Sequence, residues 1–99
     1  MKGTGQASIG KKMDRNGARL FAYSANPNAR QVYLVGDFNG WDPTALPLSK
    51  RGKTFAKRVQ LTPGEHQYKF LVDGEWQMDP AAEVQVPNGV GSLNSVVRM

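Results

Sequence analysis

The chain has 99 residues, a formal net charge of +5 at pH 7, no cysteine, and 39% hydrophobic and 21% charged residues. This length allows one domain with an apolar core and excludes a barrel enzyme or a second domain. The composition is that of a globular protein, and no apolar run is long enough to span a membrane. Without cysteine the domain has no disulfides, which favours a reducing compartment, so we expect a cytoplasmic location.

The positively charged residues fall in two groups, and neither group occurs with a sequence motif typical of a nucleic-acid-binding site. No zinc-ligand spacing, helix-turn-helix pattern or pair of aromatic RNA-binding strands accompanies them. We interpret the charge as a solvated face and predict that the chain does not bind nucleic acid. The two groups are Lys2, Lys11, Lys12, Arg15 and Arg19, and Lys50, Arg51, Lys53, Lys57 and Arg58.

Residues 1–17 are rich in Gly, Lys, Ser and Asn and have no apolar periodicity. They predict a flexible N-terminal tail or linker, without the hydrophobic segment of a secretory signal. The predicted domain is residues 18–99. Its first strand begins at Ala18 and ends before Asn26-Pro27-Asn28, a turn sequence.

The second predicted strand, residues 31–38, has apolar side chains on both faces, which indicates a central position in a sheet. A loop over residues 37–47 follows, and it carries Trp41 between Asn39-Gly40 and Asp42-Pro43. Residues 50–53 are predicted as a basic connection. The remaining predicted strands are residues 54–61, the two arms of a hairpin that starts at residue 65 and turns at Asp73-Gly74, an edge strand at residues 82–86, and a last strand at residues 92–99.

Strands therefore recur about every ten residues, with turn signals between them and no helix of ordinary length. This pattern predicts an all-β fold: an antiparallel, immunoglobulin-like β-sandwich of about seven strands. The Cys–Trp–Cys signature of antibody domains is absent, so the predicted likeness is architectural.

Trp41 and Trp76 both lie in or beside turns with polar neighbours, instead of in a periodic core segment. Taken alone, each tryptophan is equally well interpreted as a buried plug at one end of the sandwich, because tryptophan is usually buried. Together they favour an exposed aromatic pair, which suits the apolar C–H face of a sugar ring. Lys69 and Asn94 are candidate partners for sugar hydroxyls. Their alternatives are a solvent-facing strand residue for Lys69 and an edge residue bonded to water for Asn94.

Catalysis has little support in the sequence. His66, the single histidine, alternates in register with Tyr68 and is interpreted as a packed or half-exposed strand residue. A glycosidase needs two carboxylates across a cleft, whereas Asp73 and Asp79 are explained by turns. No residue spacing indicates a metal site or a cofactor. We predict a non-enzyme with no catalytic residues, no metal and no cofactor.

Four sequence blocks stand out in the chain: residues 32–41, 64–76, 79–80 and 91–97. Together they resemble the glycogen-binding domain of the AMP-activated protein kinase β subunit. This is the family-48 carbohydrate-binding module, an early-set immunoglobulin-like sandwich that is also attached to isoamylases and branching enzymes. The resemblance covers about residues 18–99, with the blocks in the same order and at close to the expected spacing.

The resemblance implies that Trp41 and Trp76 form a stacking platform for α-1,4-linked glucose. It also implies that Lys69 and Asn94 hydrogen-bond to hydroxyls and that Ser92 matches a hydroxyl residue of the sugar loop. At Val90 the kinase members have a leucine that reaches across the sugar surface, and valine is shorter. The implied function is non-catalytic binding of glycogen, starch-like glucan or maltooligosaccharide.

The alternative is a protein-interaction or docking module of a multi-subunit kinase or a glucan-metabolising enzyme. Degenerate docking members are expected to lack the aromatic pair and Lys69, whereas this chain has all three. The predicted partners are therefore an α-glucan and, beyond it, a kinase or glucan-enzyme partner, with neither nucleic acid nor membrane.

Overall fold

A computed structural model describes residues 17–99, so the predicted tail lies outside the described residues except for Gly17. Within this range the chain forms eight β-strands and one short 3₁₀ helix, Asp37–Asn39. No helix in the described range has the length and hydropathy of a membrane span. The strands are β1 (Ala18–Tyr23), β2 (Val32–Gly36), β3 (Ser49–Arg51), β4 (Thr54–Gln60), β5 (Glu65–Val72), β6 (Glu75–Gln77), β7 (Val84–Pro87) and β8 (Leu93–Arg98).

The strands form two antiparallel sheets, which confirms the predicted immunoglobulin-like sandwich. One sheet has the order β1-β4-β3; the other has the order β2-β5-β8-β7, with β6 also paired to β5. The additional strand is β3, where the sequence had indicated only a basic connection. All three β3 residues are exposed, so no apolar alternation marks them, and pairing with Thr54–Ala56 of β4 alone makes this segment a strand.

The predicted central position of β2 is wrong, because β2 stands at the end of its sheet and β5 is its one strand partner within residues 17–99. Its other edge is nonetheless covered. The Leu34 N–H donates to the Leu46 carbonyl at 2.9 Å, and the Leu48 N–H donates to the Val32 carbonyl at 2.8 Å. This cover from the following loop explains why a strand with buried residues on both faces can lie at a sheet edge.

Aromatic side chains from both sheets form the core. Phe21 of β1 makes an edge-to-face contact with Tyr68 at a centroid distance of 5.0 Å, and Tyr23 makes one with Phe70 at 5.3 Å. Both contacts join the three-stranded sheet to β5, and all four rings are buried. Because Tyr68 and Phe70 point inward, the alternate residues of β5 must project from the outer face of the five-stranded sheet.

The β5–β6 hairpin turns at Asp73 and Gly74, whose φ angles of 49° and 86° are those of a tight two-residue turn. The Asp73 carboxylate accepts hydrogen bonds from the backbone N–H groups of Arg30 and Gln31, at 2.9–3.1 Å. Asp73 therefore both permits the reversal and fastens it to the segment that leads into β2. The hairpin that carries Trp76 is anchored at its tip.

Candidate functional site

A groove of about 490 Å³ lies on the outer face of the five-stranded sheet. The structure brings all six residues predicted for the site to this one groove, together with a seventh, Asn88, that the sequence did not indicate. The lining residues are Trp41, Lys69, Trp76, Asn88, Val90, Ser92 and Asn94.

Sheet register places three of these side chains on the same face. Trp76 of β6 lies opposite Leu71 of β5, and Lys69 is two residues before Leu71, so these side chains project together. On the other part of β5, Gln67 lies opposite Val96 of β8, and Asn94 is two residues before Val96. The period-two geometry of the strands therefore assembles one wall and the floor of the groove.

Trp41 arrives from a different element, the segment after the 3₁₀ helix that follows β2. Its φ of 59° is in the left-handed region, which is uncommon for a residue other than glycine, and Gly40 before it has a φ of 67°. The Trp41 N–H donates to the Gly36 carbonyl at 2.9 Å, which folds the segment back beside the end of β2. Trp41 is 39% exposed and Trp76 is 51% exposed, so neither ring is part of the core.

The residue that the sequence missed, Asn88, organises the loop on the far side of the groove. Its side-chain Oδ1 accepts hydrogen bonds from the N–H groups of Val90 at 3.0 Å and Ser92 at 3.3 Å. Its own N–H donates to the Ser92 carbonyl at 3.0 Å. This is the local turn that asparagine favours, and the Asn-Gly dipeptide was the available signal. The turn leaves Val90 82% exposed.

The floor of the groove is polar and hydrogen-bonded. Lys69 is buried, and its ammonium donates to the Ser92 hydroxyl at 2.6 Å. No acidic side chain among residues 17–99 forms an ion pair with it. Asn94 is also buried, and its amide donates to Gln67 Oε1 at 3.0 Å. An ammonium has three N–H bonds, so two remain on Lys69 for a ligand oxygen.

The acidic and histidine side chains of the described segment lie elsewhere. His66 contacts Asp37, Asp79 accepts from the buried Tyr68 hydroxyl, and Asp73 holds its turn. None of these four lines the groove. No group of three or more His, Asp or Glu side chains in residues 17–99 is arranged to hold a metal ion. The groove therefore offers aromatic faces and hydrogen bonds, the chemistry of recognition.

Comparison with known proteins gives a specific relationship. The family model of the glycogen recognition site of AMP-activated protein kinase matches residues 20–99. The chain is 39% identical over 82 residues to the pig 5'-AMP-activated protein kinase subunit beta-1, covering 83% of this chain and 65% of that one. It is 37% identical over 82 residues to the human beta-1 subunit and 40% identical over 70 residues to the mouse beta-2 subunit.

The chain spans only part of these relatives, 29% of the human beta-1 subunit and 25% of the mouse beta-2 subunit. The matched region is a recognition site within a kinase beta subunit, and this confirms the prediction of a non-enzyme. The resemblance that the four sequence blocks indicated is confirmed as well. The chain belongs to the glycogen recognition site family of AMP-activated protein kinase.

Proposed function

We propose that this glycogen-recognition module binds α-1,4-linked glucan without catalysis, and that Trp41 and Trp76 are its stacking residues. The observation that carries the proposal is that both indoles, 39% and 51% exposed, line one groove together with Lys69. Glycogen, starch-like glucan and maltooligosaccharides all present the required α-1,4-linked glucose units.

The chemistry of the groove matches that of a glucose unit. The C–H bonds on one face of a pyranose are apolar and slightly positive, and they pack favourably on the negative face of an indole. The hydroxyls project in the ring plane, where Lys69, Ser92 and Asn94 supply donors and acceptors. Val90, 82% exposed at the rim, adds a short apolar contact.

Two aromatic platforms on one concave surface follow the curve of an α-1,4-linked chain, and a flat β-1,4-linked chain does not meet both. The ligand is polar and the groove is open, so little free energy is gained per atom after ordering costs. We expect a dissociation constant between about 10 μM and 1 mM.

Isothermal titration with maltoheptaose, β-cyclodextrin and a cello-oligosaccharide tests this proposal. Binding of maltoheptaose and β-cyclodextrin, which are both α-1,4-linked, without binding of the β-1,4-linked cello-oligosaccharide supports the proposal. Equal binding of α- and β-linked chains contradicts it. Repeating the maltoheptaose titration at two salt concentrations separates sugar stacking, which depends little on salt, from phosphate binding, which weakens steeply.

A second role is favoured by the relatives, which are named as subunits of a kinase. We propose that the module, located in the cytoplasm, also serves to bring a kinase or a glucan-metabolising enzyme to the polymer. Co-purification with a kinase catalytic subunit that persists in the presence of excess maltoheptaose supports docking by another surface. Release of the partner by the sugar indicates that the groove itself is the docking site.

A further inference from the structure

The Asp37 carboxylate connects the segment that carries Trp41 to strand β5. One oxygen, Oδ2, accepts a hydrogen bond from the Gln67 N–H at 2.9 Å. The other, Oδ1, lies 3.0 Å from Nδ1 of the His66 ring. Asp37 opens the 3₁₀ helix that leads to Trp41, whereas Gln67 holds the amide of Asn94. One carboxylate therefore joins the tryptophan side of the groove to its polar floor.

His66 meets an oxygen at each of its ring nitrogens. Nδ1 faces Asp37 Oδ1, and Nε2 lies 2.9 Å from the Thr62 carbonyl oxygen. A neutral imidazole has only one N–H and leaves a lone pair against one of these oxygens, whereas the imidazolium donates to both. The bond to the Thr62 carbonyl, followed by the hydrogen bond and charge of Asp37, raises the pKa of His66 in spite of its burial.

The backbone conformation of the segment between Asp37 and Trp41 has to be stabilised by surrounding contacts. Trp41 occupies the left-handed region of backbone space, which costs free energy for a residue with a bulky side chain and persists only where surrounding contacts impose it. The Asn39 side chain supplies some of these contacts, accepting from the Gly36 N–H and donating to the Leu34 carbonyl, both at 3.2 Å. The Phe38 ring adds an edge contact with His66, at a centroid distance of 6.0 Å.

We propose that Asp37 and His66 are positioning residues of the groove, and that protonated His66 holds the Trp41 segment in its glucan-binding position. Glucan affinity then falls as the pH rises and His66 loses its proton. This inference rests on the proposed function for its binding readout. Neither residue lines the groove, so both act through Trp41 and Gln67.

The surroundings of His66 allow the pH dependence of glucan affinity to be attributed to its imidazole. Asp37 is the charged side chain that contacts the ring; the other neighbours in the described segment are the Thr62 backbone and hydroxyl, Phe38 and, across the strand pair, Val97. Glu65 and Arg98, the adjacent charges on β5 and β8, pair with each other. His66 is also the single histidine of the chain, so the α-amino group is the other group that ordinarily titrates near neutral pH.

The test is titration of maltoheptaose at pH 6.0 and pH 8.5 into the wild type, H66Q, D37N and the matched control E65Q. The wild type and E65Q should bind about three- to ten-fold more weakly at pH 8.5, as expected for the loss of one charge-assisted hydrogen bond. H66Q and D37N should bind more weakly than the wild type at pH 6.0 and lose the pH dependence. If H66Q keeps the wild-type pH profile, the proposal is overturned.

A second measurement needs no sugar. In W76F the remaining indole belongs to Trp41, and its N–H resonance can be followed by NMR against pH together with the His66 ring protons. Both signals should titrate with one midpoint, above the ordinary pKa of about 6.5 for histidine. An indole signal that stays constant while the His66 ring titrates refutes the positioning role. If no variant binds maltoheptaose at either pH, the proposed function fails, and the indole signal still decides this inference.

Discussion

The ammonium of Lys69 donates a 2.6 Å hydrogen bond to the hydroxyl of Ser92, and this bond joins β5 to the loop that carries Val90. The two residues are 23 positions apart in the chain. The bond orients a buried cation toward the groove and holds the loop over it. The groove is therefore built as a connected unit, in which the residues that meet the ligand also position one another.

Replacing Ser92 with alanine should weaken maltoheptaose binding. The change removes the hydroxyl that accepts the hydrogen bond from Lys69 and holds the loop. We expect a loss of about 1 kcal/mol of binding free energy, the contribution of a typical hydrogen bond. S92T retains the hydroxyl and should bind close to the wild type. Titration of both variants checks this, and equal affinity for S92A and the wild type would show that the bond does not position Lys69.

Replacing Gly36 with alanine should destabilise the protein and disturb the Trp41 side of the groove. The backbone at Gly36 is extended, so the obstacle is steric: an added Cβ would lie 2.7 Å from the Gln67 carbonyl oxygen and 2.6 Å from the Phe38 ring. The β5 backbone cannot easily move, and overpacking of this kind costs about 1–3 kcal/mol.

Urea unfolding and maltoheptaose titration of G36A measure both effects. G40A is the comparison, because its new methyl meets no atom within 4 Å and only its φ of 67° opposes the change. G36A should lose more stability than G40A. The reverse order would contradict the steric account.

Tyr68 and Asp79 form a buried hydrogen bond of 2.6 Å that supports the sandwich behind the groove. Burial, and then the adjacent carboxylate, raises the pKa of the Tyr68 phenol, which therefore remains a donor throughout the physiological range. Asp79 also accepts from the Ala81 N–H at 2.9 Å.

Y68F and D79A should each lower the free energy of unfolding by about 1–3 kcal/mol. Because both remove the same bond, the double variant should lose less than the sum of the two single changes. Urea unfolding of all four proteins measures this coupling. Strict additivity would show that the bond contributes nothing to the folded state.

The stability of the protein should also depend on His66. Its pKa is raised in the folded state, so its stabilising contribution is complete below the unfolded-state value of about 6.5 and is lost as the pH rises through the folded-state value. The free energy of unfolding of the wild type should therefore fall between pH 6.0 and pH 8.5 by more than that of H66Q. Equal changes in the two proteins would contradict this.

Much of the fold follows from local patterns in the sequence. Tyr68, Phe70 and Val72 alternate in the sequence and are the buried face of β5, and the predicted turn at Asp73-Gly74 is confirmed. Trp76, two residues after that turn, lies opposite Leu71 on the outer face and is therefore outside the core. Where periodicity and turn chemistry are strong, the sequence alone predicts which side chains are exposed.

Other features depend on contacts between distant segments. β3 forms only because β4 pairs with it. β2 lies at the end of its sheet, but a loop covers its free edge, so its sequence pattern is that of a central strand. The contact of Asp37 with His66 joins residues 29 positions apart, and neither residue type indicates the other. Asn88 lies in the turn between β7 and β8, and its place in the groove depends on the pairing of β8 with β5.

The central claim, that two indoles on one groove bind neighbouring glucose units, is tested most directly by titrating maltoheptaose into W41A and W76A. The control is M78A, which removes another exposed apolar side chain, 42% exposed, from outside the groove. Each tryptophan variant should lose roughly 1.5–3 kcal/mol of binding free energy, with unchanged circular dichroism, and M78A should bind like the wild type. Wild-type affinity in either tryptophan variant would contradict the account.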